Sequence, residues 1–272
     1  MATTSQQEIK DYVEKHIDAF HTEKLEKLKK LQLAKILARK NPYLYKAKNL
    51  VTPRVLVKAL LDAFLSSQEE TTLGNFLEGL AVFICRSTYG AHGKSIAEGI
   101  DLEFERDAKR YIVTIKSGPN WGNSGQIREM RDKFKKAKII YSQGASGTPI
   151  IAINGCCYGR QPIKSEDKGD YIKLCGQRFW TFISGDSELY TKIIEPLGSK
   201  AKERNEEFAA QYELVIDAFT ELFRADFCDD KNMIDWTKLT QFNSGETQPV
   251  LKMLKKSGAV DATPELLDAE ES

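Results

Sequence analysis

The first third of the chain carries apolar residues at the helical spacing of three and four positions, which predicts amphipathic helices with one face in a core. Asn41-Pro42 interrupts this pattern, because the residue before a proline disfavours helical backbone. Thr52-Pro53 then supplies an N-cap and a proline suited to a first helical turn. The helices predicted here span residues 6–40, as one long helix or two consecutive ones, then 53–66 and 71–86.

The pattern changes to short apolar runs in the middle of the chain, which predicts β-strands. The strands predicted from these runs span residues 98–105, 110–116, 148–154 and 170–175. A basic helix is predicted over 125–140, between the second and third strands, and helical spacing returns over 177–183, 186–194 and 200–225. A β-β-α-β order is typical of a mixed central sheet flanked by helices, so the predicted fold class is α/β.

These elements divide the chain into three predicted regions. Residues 1–70 are helical, residues 71–198 contain the sheet, and residues 199–272 are helical with an acidic, partly mobile tail. A chain of 272 residues is long enough to form a full hydrophobic core.

Composition places the protein in the ordinary globular class, with 41% hydrophobic and 29% charged residues. No apolar run approaches the roughly 20 residues that a membrane-spanning helix needs. The first residues also lack the apolar core of a signal peptide. We therefore expect a cytoplasmic protein without a membrane partner.

The net charge of +1 hides an uneven distribution. Residues 109–140 carry nine Lys and Arg against Glu129 and Asp132, whereas residues 201–272 carry eight basic and sixteen acidic residues. The basic stretch is suited to nucleic acid phosphates, and a solvated helix face is the alternative.

The two central strands carry the candidate chemistry. Strand alternation puts Asp101, Glu103 and Glu105 on one face of the first strand, and Thr114 and Lys116 on one face of the second. A carboxylate and an ammonium can thus meet at one end of the sheet.

Such a pair is suited to a divalent metal and an activated water. Mg²⁺ favours one or two carboxylates together with water and phosphate oxygens, and a bound metal lowers the pKa of its water. Lys116 could orient or help to deprotonate that water. An ordinary cross-strand ion pair between Asp101 and Lys116 is the alternative.

The segment Ile100-Asp101 followed by Thr114-Ile115-Lys116 resembles the catalytic core of the PD-(D/E)xK nucleases, and the likeness covers roughly residues 72–183. Within that superfamily the chain looks like a type II restriction endonuclease, with the PmeII-type branch as the nearest match. The resemblance implies a restriction-endonuclease-like core over 71–198, cleavage of double-stranded DNA, Mg²⁺ as cofactor and a homodimer on a palindromic site.

The sequence departs from the superfamily motif at two positions. Ile100 stands where proline is usual, and Thr114 stands where the second acid of the motif is expected. Some members carry this acid on the following helix, which points to Glu129, while Glu78 resembles an additional glutamate near the metal. Glu103 is a further candidate. The predicted catalytic residues are therefore Asp101, Lys116, Glu78 and Glu129, with Asp101, Glu78 and Glu129 as metal ligands, although both glutamates also suit a plain helix surface.

Polar and basic residues around the second strand are the candidates for DNA contact. They lie in the loop before the first strand, in the glycine-rich loop 117–125 and on the basic helix. The predicted DNA-binding residues are Lys94, Asn120, Trp121, Asn123, Arg128, Arg131 and Lys135.

Two other functions remain open at this point. One is a structure-specific DNA repair or recombination nuclease of the same superfamily. The other is a non-catalytic DNA-binding protein that uses the basic helix.

Overall fold

A computed structural model describes residues 5–90, 95, 97–143, 147–198 and 201–246. The helices within these residues are α1 (Gln6–Lys29), α2 (Leu33–Arg39), α3 (Pro42–Ala47), α4 (Pro53–Tyr89), α5 (Ser124–Ser142), α6 (Gln177–Ser184), α7 (Leu189–Lys192), α8 (Ile194–Leu197), α9 (Ala201–Phe227) and α10 (Trp236–Ser244). The strands are β1 (Leu102–Arg106), β2 (Lys109–Lys116), β3 (Ile150–Cys156) and β4 (Ile172–Cys175), and a short 3₁₀ helix covers Ile163–Ser165.

The four strands form one mixed sheet in the order β1-β2-β3-β4. β1 and β2 are antiparallel, whereas β2, β3 and β4 run parallel. Asp107 and Ala108 join β1 to β2 with φ values of 52° and 54°, the left-handed conformation that two-residue hairpin turns require. The predicted α/β class with a mixed sheet is confirmed.

Helices cover both faces of the sheet. One face packs on α4 and α6, where Leu80, Ile84 and Phe179 are fully buried. The other face packs on α5 through Met130 and Phe134. Side chains of β2 alternate between the two cores, and five consecutive residues of this strand are buried, as expected for a strand covered on both faces.

The helix predictions for the N-terminal third are correct in part. Of the two alternatives for residues 6–40, the structure has two consecutive helices, since α1 ends at Lys29 and α2 begins at Leu33. The two helices predicted over 53–66 and 71–86 are one continuous helix, α4, so that prediction is wrong. The polar residues between them include no glycine or proline that would interrupt the helical hydrogen bonds.

Capping explains one helix that the hydrophobic pattern missed. Asn41 ends the α2 region as expected, but its side chain also accepts hydrogen bonds from the backbone N–H groups of Tyr43 and Leu44. With Pro42 in the first turn, Asn41 therefore begins α3. A six-residue helix is too short to show a periodic apolar pattern.

The described chain forms two compact units, with boundaries after Phe20, Glu69 and Ala201. The first unit contains the sheet with α5 to α8, and the second has its own core, in which Ile36, Leu61 and Phe223 are buried. The predicted mobile tail lies, from residue 247 onward, outside the described residues. None of the helices described has the length and apolar character needed to cross a membrane.

Gly155 on β3 is expected to be essential for the packing of α6. A Cβ atom at this position would lie 2.2 Å from Cε2 of Phe179, which is fully buried. Gly155→Ala should therefore lower the free energy of unfolding by about 1–3 kcal/mol, measured by chemical denaturation.

Gly122→Ala is the matched control, because its Cβ would meet no side chain closer than 3.5 Å. It should change the free energy of unfolding by less than about 0.5 kcal/mol. Equal effects of the two substitutions would contradict the packing argument.

Candidate active site at the end of β2

Asp101 lies immediately before β1 and is held by the neighbouring strand. Its backbone N–H donates to the carbonyl of Val113 at 3.0 Å, and its Oδ2 accepts from the backbone N–H of Ile115 at 2.6 Å. This second hydrogen bond extends the ladder of hydrogen bonds between β1 and β2, with a side-chain oxygen as the acceptor. The strand predicted over 98–105 begins only at Leu102, so Asp101 lies just outside it rather than inside.

Lys116 ends β2, one residue after the group that holds Asp101. It is half-buried, and its Nζ lies 5.1 Å from the centre of the Trp121 indole ring. A cation at this distance from an aromatic face is attracted by the ring quadrupole. The structure therefore gives Lys116 an aromatic neighbour from the loop that follows β2.

Thr114 lies two residues before Lys116 on β2, where the resemblance to the PD-(D/E)xK nucleases predicts a second acid. It is 3% exposed, and its hydroxyl accepts from Nδ2 of Asn154 at 3.3 Å. Asn154 lies opposite Thr114 in the β2–β3 register and is 1% exposed. A neutral hydrogen-bonded pair thus fills this position.

Glu129 lies on the exposed side of α5 and pairs with Lys133 at 2.7 Å. The hydrogen bond from Lys133 lowers the pKa of Glu129, and the positive charges of Lys133 and Lys116 act in the same direction. Glu129 likewise raises the pKa of Lys133, to which the negative charges of Glu98 and Asp101 also contribute. Glu129 is thus within electrostatic reach of Lys116, and Lys133 within that of Asp101.

Glu78 approaches the same end of the sheet from α4. A Cβ atom on Gly74 would lie 3.5 Å from Cβ of Ser117, the residue after Lys116, and Glu78 is half-buried one turn further along this helix. Burial raises the pKa of Cys157 to about 12, and the charge of Glu78 adds to this effect. Cys157 N–H donates to the carbonyl of Lys116, so the charge of Glu78 acts on a residue that is hydrogen-bonded to the end of β2.

Asp101, Glu78 and Glu129 are the carboxylates that the sequence predicts as metal ligands. Glu103 accepts a hydrogen bond from the Tyr141 hydroxyl, so it serves the packing of α5. Within the described residues, no three His, Cys, Asp or Glu side chains are close enough to form a complete metal site.

The glycine-rich loop and the start of α5 carry three of the predicted DNA contacts. Asn120 is exposed, and Trp121 is half-buried. Asn123 caps α5, with its side chain accepting from Gly125 N–H and Gln126 N–H. The side-chain oxygen of Asn123 is occupied by these two hydrogen bonds, so its amide nitrogen is the group that could contact DNA.

The basic residues of α5 form a row at helical spacing. Arg128 and Lys135 are exposed, with Lys135 3.5 Å from Asp132. Arg131, between them, lies 3.4 Å from Asp170. Lys94 lies outside the described residues.

Sequence reasoning missed Asn154 and Lys133. Asn154 is a single polar residue at the end of an apolar run, which was the available signal, but only the β2–β3 register places it beside Thr114. Lys133 follows Glu129 by four residues, the spacing of a helical ion pair. Its packing over Gly99, where an added Cβ would lie 2.3 Å from Cδ of Lys133, depends on the fold.

Comparison with known families supports a nuclease core. The family model described as type II restriction endonuclease EcoO109I matches residues 7–205, a range that includes every residue of the candidate site. The chain belongs to this family of type II restriction endonucleases. No curated protein sequence matches it significantly.

Lys133 is expected to control the ionisation of Glu129. Lys133→Met removes the hydrogen bond that lowers the pKa of Glu129, so this pKa should rise towards the ordinary glutamate value. Site-resolved ¹³C NMR titration would measure it. Lys135→Met, which removes a partner of Asp132 instead, should leave it unchanged, and an unshifted Glu129 in Lys133→Met would refute the ion pair.

Proposed function

We propose that the protein is a type II restriction endonuclease that hydrolyses phosphodiester bonds of double-stranded DNA at a specific palindromic site, with Mg²⁺ as cofactor. The observation that carries the proposal is the arrangement of Asp101 and Lys116 on adjacent strands at one end of the sheet. Family membership supports DNA as the substrate. We also propose that the fold belongs to the PD-(D/E)xK superfamily; the PmeII-type branch stays a prediction from resemblance alone.

The two strand-end residues have distinct roles in this proposal. Asp101, together with Glu78 or Glu129, would hold Mg²⁺, which would supply Lewis acidity and a more acidic water. The backbone N–H of Ile115 orients the Asp101 carboxylate. Lys116 positions the attacking water and offsets the negative charge that develops on the phosphate.

The basic row of α5 is the proposed DNA-binding surface, with Arg128, Arg131 and Lys135 on backbone phosphates. Asn120 and Asn123 are the proposed contacts from the loop before α5, and Lys94 is proposed to contribute from the loop before β1. Residues 71–198 would form the nuclease core. Residues 1–70 and 199–272 would serve in dimerisation or DNA clamping, because a two-fold dimer matches the symmetry of a palindromic site.

Cleavage of plasmid DNA with Mg²⁺ tests the proposal. The protein should give discrete fragments, whereas Asp101→Asn and Lys116→Met should each slow cleavage by about 10²–10⁴-fold, because each removes a group acting directly on the reaction. Binding of the same DNA without metal should persist in both variants.

Matched controls are Glu105→Gln, at the other end of β1, and Lys192→Met, on α7. Both should cleave at the unaltered rate. Glu78→Gln and Glu129→Gln, compared in the same assay, identify the second acid, since the true ligand should show the loss seen with Asp101→Asn. A smear would favour a structure-specific repair nuclease, and binding without cleavage a non-catalytic DNA-binding protein; either result would refute the restriction assignment.

The basic row should also determine DNA affinity. Arg128→Gln and Lys135→Gln should each weaken metal-free binding by about 3–10-fold and reduce the salt dependence by about one counterion. Fluorescence anisotropy across a salt series measures both quantities. Lys192→Gln is the control, and unchanged affinity in both α5 variants would place the DNA elsewhere.

A further inference from the structure

The side chain of Trp121 is fixed by a buried partner on β3. Its indole Nε1 donates to Oδ1 of Asn154 at 3.2 Å, and Nδ2 of Asn154 donates to the hydroxyl of Thr114 at 3.3 Å. Asn154 and Thr114 are adjacent in the sheet and almost fully buried. A buried amide with both ends hydrogen-bonded has one favoured orientation, so it sets the direction of the indole.

The loop that carries Trp121 is anchored at a second point. Nζ of Lys173, on β4, donates to the carbonyl of Pro119 at 2.6 Å. A Cβ atom on Gly159 would lie 2.6 Å from Cδ of Pro119, so the loop also lies directly against the chain that follows β3. The position of the ring is therefore determined by three parallel strands.

The ring in turn faces the ammonium of Lys116, with 5.1 Å between Nζ and the ring centre. A lysine side chain has four rotatable bonds, and holding its head group in one place is costly in entropy unless a partner compensates. The indole face is such a partner. It attracts the charge without neutralising it, unlike a carboxylate.

We propose that Thr114, Asn154 and Trp121 act as positioning residues that hold the ammonium of Lys116 beside Asp101. The catalytic consequence rests on the proposed nuclease function. The proposal assigns a role to Thr114, which lies where the resemblance predicts an acid. Its hydroxyl is the last acceptor in the neutral hydrogen-bonded series from Trp121 through Asn154. It also assigns Trp121 to Lys116 rather than to DNA.

Chemical labelling of lysines tests the positioning without any reference to cleavage. Limited acetylation of the full-length protein with acetic anhydride, followed by peptide mass spectrometry, gives the rate at Lys116, and Lys192 in the same sample is the internal reference. Trp121→Ala should raise the relative labelling rate of Lys116 by about two- to fivefold, because the attraction to the ring is lost.

Two further variants separate the ring from its anchor. Trp121→Phe keeps an aromatic face but loses the hydrogen bond to Asn154, so its labelling rate should lie between those of the unaltered protein and Trp121→Ala. Asn154→Leu removes both hydrogen bonds of the amide and should also raise the labelling rate, because the indole is no longer anchored. Unchanged Lys116 labelling in Trp121→Ala would overturn the positioning role, whether or not the protein cleaves DNA. Because Trp121 is half-buried, its two variants decide the question even if Asn154→Leu fails to fold.

Single-turnover cleavage at saturating DNA then tests the catalytic consequence. Trp121→Ala should lose about tenfold in rate, as expected when a reacting group is misplaced, with metal-free DNA affinity within about twofold. Trp121→Phe, which keeps the aromatic face, should lose less of the rate than Trp121→Ala. Weakened DNA affinity with an unchanged cleavage rate would instead make Trp121 a DNA contact and overturn the proposal. Absence of cleavage by the unaltered protein would refute the nuclease function. The labelling result would then still decide whether Trp121 positions Lys116.

Discussion

The parallel pairing of β2 with β3 is the constraint on which the first unit depends. In the observed register Val113 and Ile153 join the core under α4 and α6, while Ile112 and Ala152 join the core under α5. A shift by one residue would reverse these faces and expose each side chain to the wrong helix layer. Burial on both sides therefore fixes where β2 ends, and with it the position of Lys116.

The polar side chains of the candidate site lie at the end of the β2–β3 pairing. Ligands of open α/β sheets bind beyond the carboxyl ends of the strands, because the backbone leaves the sheet there. Lys116 lies at this end, and the loop that follows it returns across the sheet to bring Trp121 beside Asn154. The helices packed on both faces hold the sheet rigid, and the ends of its strands carry the functional groups.

Three charged groups of the candidate site have partners within the chain. Asp101 accepts a backbone N–H, Lys116 faces an indole ring, and Glu129 pairs with Lys133. Charges that are partly removed from water require such partners. The interactions differ in strength, however. Solvent screens the exposed Glu129–Lys133 ion pair, whereas the hydrogen bond from Ile115 N–H to Asp101 is part of the hydrogen-bonded sheet.

The sequence by itself determined the fold class and the order of the sheet elements along the chain, and it placed Asp101 and Lys116 at one end of the two central strands, because strand alternation and apolar spacing are local properties. It did not determine that α4 is continuous or that Asn41 begins a helix, since polar linkers and six-residue helices carry little periodic signal. Only the tertiary structure placed Asn154 beside Thr114. That contact joins residues forty positions apart, and strand register across a helical crossover depends on how both faces are buried.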